Sequence, residues 1–163
     1  MKPRVTSQCS PAAGPDARPA AFALVALAAL ALGAAPAFAG SNGLSVKDGW
    51  MRTIIPSRPA AGYFTLSNTT DKQQVLVGAE SPACGMLMLH QSQHKSGMEH
   101  MAMVKSVVVP AHGKVTFAPG GYHLMCTSPT KELVKGHNVP VTLHFADKSS
   151  LTAQFAVRGV NGK

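Results

Sequence analysis

From Leu44 onward the chain breaks into short runs in which apolar and polar residues alternate, and the runs are punctuated by residues that favour turns. LSVKDGWMR, GYFTLSN, QQVLVGAE, GMLMLHQ, AMVKSVVVP, KVTFAP, GYHLMC, VPVTLHF and LTAQFAVR are the runs; Pro56, Pro59, Asn68, Pro82, Gly113, Pro119 and the pair Gly120 and Gly121 punctuate them. Alternation with a period of two is the pattern of a strand with one buried face, and Gly and Pro between such runs mark turns. Helix-period runs are scarce. Many short strands joined by tight turns must bury one face each, which points to an all-β antiparallel sandwich or barrel. Asp147 to Ser150 reads as the turn of the last hairpin, and no internal repeat follows the leader.

Residues 1–39 read as export machinery. Lys2, Arg4 and Arg18 supply positive charge, residues 20–35 an apolar run, and Ala37, Phe38 and Ala39 the small-x-small pattern of a signal-peptidase site. The run is shorter than the roughly 20 residues that span a bilayer, so cleavage after Ala39 and release into the periplasm are expected, with no stable membrane anchor. Cys9 would leave with the leader. What remains, residues 40–163, is enough for one domain and too little for two. The formal charge of +8 falls to +6 once Lys2, Arg4, Arg18 and Asp16 are removed. The basic residues are scattered, with no aromatic interleaving, so a solvated surface is expected and nucleic acid is not. The few acidic residues are spread apart, and no G-x-S-x-G or H-E-x-x-H occurs; an enzyme is not expected, and neither is an oligomer.

The chemistry is concentrated between His90 and Met125. Ten residues separate His90 from Met101, twenty-one separate Met101 from His123, and one separates His123 from Met125. Two imidazoles and two thioethers form a soft, neutral donor set that suits Cu(I) and offers little to Mg, Ca or Mn. In GYHLMC, strand phase puts His123 and Met125 on one face and Tyr122, Leu124 and Cys126 on the other. In GMLMLH, Met86, Met88 and His90 share a face, leaving Leu87 and Leu89 for the core. Residues 91–100 contain Gly97 and no apolar run. They read as a surface loop that returns the chain so that Met101 meets the pair at 123 and 125, giving a shallow site near a rim.

His94, Met98, His100 and Met103 crowd the same segment and offer a second, weaker Cu(II) or transfer site, though solvated loop residues are the simpler reading. His112, His137 and His144 fall in turns or beside core residues and read as structural or surface groups. Cys84 and Cys126 form an even pair in an exported chain, which suggests a disulfide. Two free thiols, or Cys126 as an extra copper ligand, stay open. Cys126 points away from the ligands by phase, whereas Cys84 has ligand-face parity unless Pro82 or Gly85 shifts it.

The H-x10-M-x21-H-x-M spacing, with GGYHLM around the second His-Met pair and AGYFTLSN near the start of the domain, resembles the PCuAC family of periplasmic copper chaperones from about Val46 to Val157. His90, Met101, His123 and Met125 each fall on a ligand position of that motif. The resemblance implies a cupredoxin-like β-barrel that binds Cu(I) and delivers it to the copper centres of respiratory cytochrome oxidase, or to another periplasmic copper protein. Two rival functions use the same residues. A copper buffer for metal resistance would employ the His/Met segment as extra capacity. A blue-copper electron carrier would need a Cys, two His and an axial Met, and here no Met follows Cys126.

Overall fold

The links between strands show why this sheet must curl. Its order is β5-β4-β8-β7-β2-β1-β10-β9-β3-β6, so β3 and β4 are far apart in the sheet although adjacent in the chain. β3 (Gln74–Glu80) and β4 (Cys84–Lys95) are joined by three residues, and Glu80 and Cys84 can therefore lie no more than about 14 Å apart. β5 (Met98–Met103) and β6 (Val107–Val109), at the two extreme edges, are also joined by three. Both constraints are met only if the sheet rolls until its ends approach, although no ladder among the described residues joins β4 or β5 to β3 or β6. The computed structural model describes residues 43–55, 57–95 and 98–163, the side chains of 94–99 excepted. The expected leader, Cys9 and the cleavage site lie outside the described residues.

The remaining strands are β1 (Leu44–Arg52), β2 (Ala60–Asn68), β7 (Lys114–Phe117), β8 (Tyr122–Pro129), β9 (Asn138–Phe145) and β10 (Ser150–Arg158). Among the described residues there is no helix, so the all-β expectation holds. Most pairings are antiparallel; β1 with β10 and a single bridge between β7 and β8 are parallel, which makes the half-barrel a mixed sheet. Its concave face carries Met51, Leu66, Leu76, Phe117, Leu124, Leu143, Leu151 and Phe155, all fully buried. Phe64 stacks on Phe117 at 4.3 Å between centroids and meets Phe155 edge-on at 5.5 Å.

Two expectations need correction. The run AMVKSVVVP is not one strand: β5 pairs with β4 and β6 with β3, so the chain crosses from one sheet edge to the other between Met103 and Val107. Residues 91–95 and 98–100 do not form a free loop either. β4 continues to Lys95 and β5 begins at Met98, forming a hairpin in register from His90 opposite Met103 to Lys95 opposite Met98. Polar residues with no apolar alternation can still form strands when a neighbouring strand saturates the backbone.

Cys84 and Cys126 are bonded, with Cα atoms 5.5 Å apart. Cys126 lies opposite Leu87, on the core face, while Cys84 has the parity of Met86. The phase changes between them, where Gly85 stands against Ser128. Ser128 adopts φ 48°, and a Cβ on Gly85 would lie 2.9 Å from the Ser128 Cβ. This left-handed residue breaks the alternation, and the start of β4 turns Cys84 into the core.

Candidate metal-binding site

Strand β8 leaves a tight turn that sets the site. Pro119 supplies the second position of a type II turn, and Gly120, at φ 81°, takes the left-handed third. The Gly121 N–H donates to the Ala118 carbonyl at 3.0 Å. The Gly121 carbonyl then accepts the Ser92 N–H at 3.0 Å and lies 3.1 Å from His123 Nδ1. A carbonyl only accepts, so the imidazole proton sits on Nδ1, and Nε2 of His123 carries the free lone pair.

The register brings the other groups to it. Across β4 and β8, His90 is opposite His123 and Met88 opposite Met125; across β4 and β5, Met103 is opposite His90 and Met101 opposite Ser92. Directly opposed residues share a face of the sheet. His90, Met101, His123 and Met125 therefore lie together on the face turned away from the core. The rings of His90 and His123 meet edge-on with centroids 5.8 Å apart. Met101, His123 and Met125 line one cleft of about 590 Å³, and His90 adjoins it through the His123 ring.

Exposure is graded across the group. His123 is only 4% exposed, whereas Met101 is 62% exposed and forms the lip. Nδ1 of His90 is buried with no hydrogen-bond partner. Burial, and then the charge of His123, hold the His90 imidazole below its ordinary pKa, which favours the neutral ring. The thioethers of Met101 and Met125 carry no charge at any pH, so with a neutral His90 they make a soft, uncharged set of donors. Among the described residues no three of His, Cys, Asp and Glu come together, so a metal held here would draw on thioether sulfur.

The far wall of the cleft escaped the sequence reading. Arg52, Ile54, Ile55, Arg58 and Tyr63 form it, from β1, β2 and the segment between them. The Arg52 guanidinium lies 5.5 Å from the Tyr63 ring centroid. Burial raises the Tyr63 phenol pKa, and Arg52 opposes that rise. The signal was present in GYFTLSN, where alternation puts Tyr63 out of phase with Phe64 and Leu66.

The other candidates separate. Met103 is on the ligand face and 65% exposed. His100 is exposed and opposite Gln93, one residue out of phase with Met101, so it faces away. His94 is in register with Glu99, and Met98 with Lys95; the side chains of His94 and Met98 lie outside the described residues. His112 pairs with Asp71 at 2.8 Å, and His144 lies 3.4 Å from Glu80, both at the surface. His137 is exposed in the turn before β9.

Known proteins resemble this chain in sequence and in fold. The family described as "Putative lipoprotein LpqE-like" matches residues 44–157. A protein of Leifsonia xyli subsp. xyli named "Putative lipoprotein Lxx21020" is 32% identical over 123 residues, covering 75% of this chain and 74% of its own length. Among solved structures, the Cu(I) form of DR1885 from Deinococcus radiodurans is 31% identical, with a TM-score of 0.54 over 74% of this chain and 78% of its own. The copper-bound PCuAC domain from PmoF2 superposes with a TM-score of 0.60 over 74% of this chain and 95% of its own, at 22% identity. The first three of these likenesses include the sequence, whereas the last rests on the cupredoxin-like fold alone. By sequence along most of its length, this chain belongs to the LpqE-like, PCuAC-type family.

Proposed function

We propose that this protein is an exported Cu(I) carrier, a binding module rather than an enzyme. His90, Met101, His123 and Met125 hold the ion, which passes by ligand exchange to a copper centre of cytochrome oxidase or to another periplasmic copper protein. One observation carries the reading: strand register gathers two imidazoles and two thioethers, distant in sequence, beside one cleft on the outer face. The donors fit the cargo, since soft neutral thioethers and imidazoles match Cu(I). The unpartnered His90 Nδ1 and the free Nε2 of His123 fit it too. Met101 at the lip gives a partner's ligand somewhere to enter before the donor's ligands leave. The Cu(I)-bound relative at 31% identity and the lipoprotein description of the family support a copper role outside the cytoplasm.

X-ray absorption on the copper-loaded protein tests the donor set and should find a cuprous ion with two sulfur and two nitrogen neighbours. A shell without sulfur sinks the reading. Delivery is tested separately: a deletion strain should lose oxidase activity while keeping copper tolerance, and the opposite pattern would identify a buffer instead.

A further inference from the structure

The methionines of this chain are not distributed as core filling. Of the eight in the sequence, Met1 opens the leader and Met51 is fully buried in the core. The other six all lie on β4, β5 and β8. Met125 and Met101 belong to the four-ligand site. Met88 and Met103 do not line its cleft, yet they share its face of the sheet. Met103 is 65% exposed, and Met88 is half-buried. An exposed thioether such as that of Met103 gains little from burial, so packing does not explain its presence there.

Register sets their separation. Met103 is directly opposite His90, and the pairing runs on, because the Val104 N–H donates to the Leu89 carbonyl at 2.9 Å. Met88, two residues before His90 on the same face, is thus the diagonal neighbour of Met103. Diagonal neighbours in an antiparallel pair lie about 7–8 Å apart, within reach of long side chains. Each methionine places its sulfur three bonds from Cα on freely rotating torsions. Two such sulfurs can close on one ion from opposite sides, an arrangement that a cuprous or silver ion accepts from soft ligands.

We propose that Met88 and Met103 form a second soft-metal site, a two-thioether seat for a cuprous or silver ion on the exposed face beside His90. This seat goes beyond the four-ligand site. Met88 also stands directly opposite Met125, so an ion on the seat is one sheet neighbour from a ligand of the first site. The seat therefore serves as an entry or exit position, where copper is held by weak neutral donors while the four-ligand site is filling or emptying.

The test uses Ag(I), which avoids oxidation, titrated into the full protein carrying isotope-labelled methionine methyl groups and followed by NMR. The first equivalent should shift the methyls of Met101 and Met125, and the second those of Met88 and Met103. The double variant Met88→Leu with Met103→Leu, melting within a few degrees of the parent, should keep the first set of shifts and saturate at one ion instead of two. Saturation of the parent at one ion overturns the second seat. So does a second ion that leaves the methyls of Met88 and Met103 unmoved, or one that the double variant retains. Loss of the first-equivalent shifts alone would instead count against the four-ligand site, so the two readings fail separately.

Discussion

Strands β4 and β8 present two chemistries from alternate residues. On the inner face Leu87, Leu89, Leu124 and Cys126 are buried in the hydrophobic core, and Cys126 is bonded to Cys84. On the outer face Met88, His90, His123 and Met125 follow the same register. The inner set is fixed by close packing and a covalent bond, whereas the outer set includes an unpartnered ring nitrogen and a free lone pair. A pleated strand can therefore hold a ligand in place with rigidity supplied from its reverse side, without packing the ligand itself.

If that division is real, substitutions on the two faces should damage different properties. The largest effect belongs to the core: Leu124→Ala removes a fully buried side chain and should cost about 2–5 kcal/mol in chemical denaturation. Replacing both Cys84 and Cys126 by Ser should cost about 2–4 kcal/mol, by releasing a cross-link that spans 42 residues. In both cases the protein that remains folded should bind Cu(I) nearly as tightly as the parent. A collapse of affinity in the folded fraction would break the comparison, because it would make the core part of the site.

The outer face should behave the other way. Met125→Leu keeps volume and changes only the donor, so stability should move by less than about 1.5 kcal/mol. Competition against a Cu(I) chelator should show affinity falling at least about tenfold, equivalent to about 1.4 kcal/mol. Unchanged affinity would remove Met125 from the donor set and leave its place in the cleft without a chemical purpose.

Much of this division was legible in the amino acids. The parity of His123 and Met125 against Leu124 and Cys126 follows from GYHLMC alone, and the strand runs of β1, β2, β9 and β10 match the observed elements closely. What was hidden depended on partners far away in the chain. Gln91 to Lys95 carry no apolar alternation, and they form a strand because β5 pairs with them along one edge. The Cys84 phase change needed the left-handed Ser128 across the ladder. Arg52, Arg58 and the two isoleucines reach the cleft only through the pairing of β2 with both β1 and β8, which no local pattern encodes.

The smallest effect sharpens the comparison most, since it falls where the two faces meet. The turn at Pro119 and Gly120 delivers the chain into β8, and its Gly121 carbonyl serves both the backbone of β4 and the ring of His123. In Gly120→Ala the new Cβ would meet nothing within 4 Å, so the penalty is the left-handed φ alone, about 1–2 kcal/mol. Relaxing that strain would rotate the Gly121 carbonyl away from Nδ1. Nitrogen NMR of the apo protein should then show His123 changing from a single Nδ1–H tautomer to a mixture, with Cu(I) affinity dropping a few-fold. A melting temperature that falls while the tautomer stays fixed would show the turn supporting only the fold. In that case the orientation of His123 must come from the ring of His90 beside it.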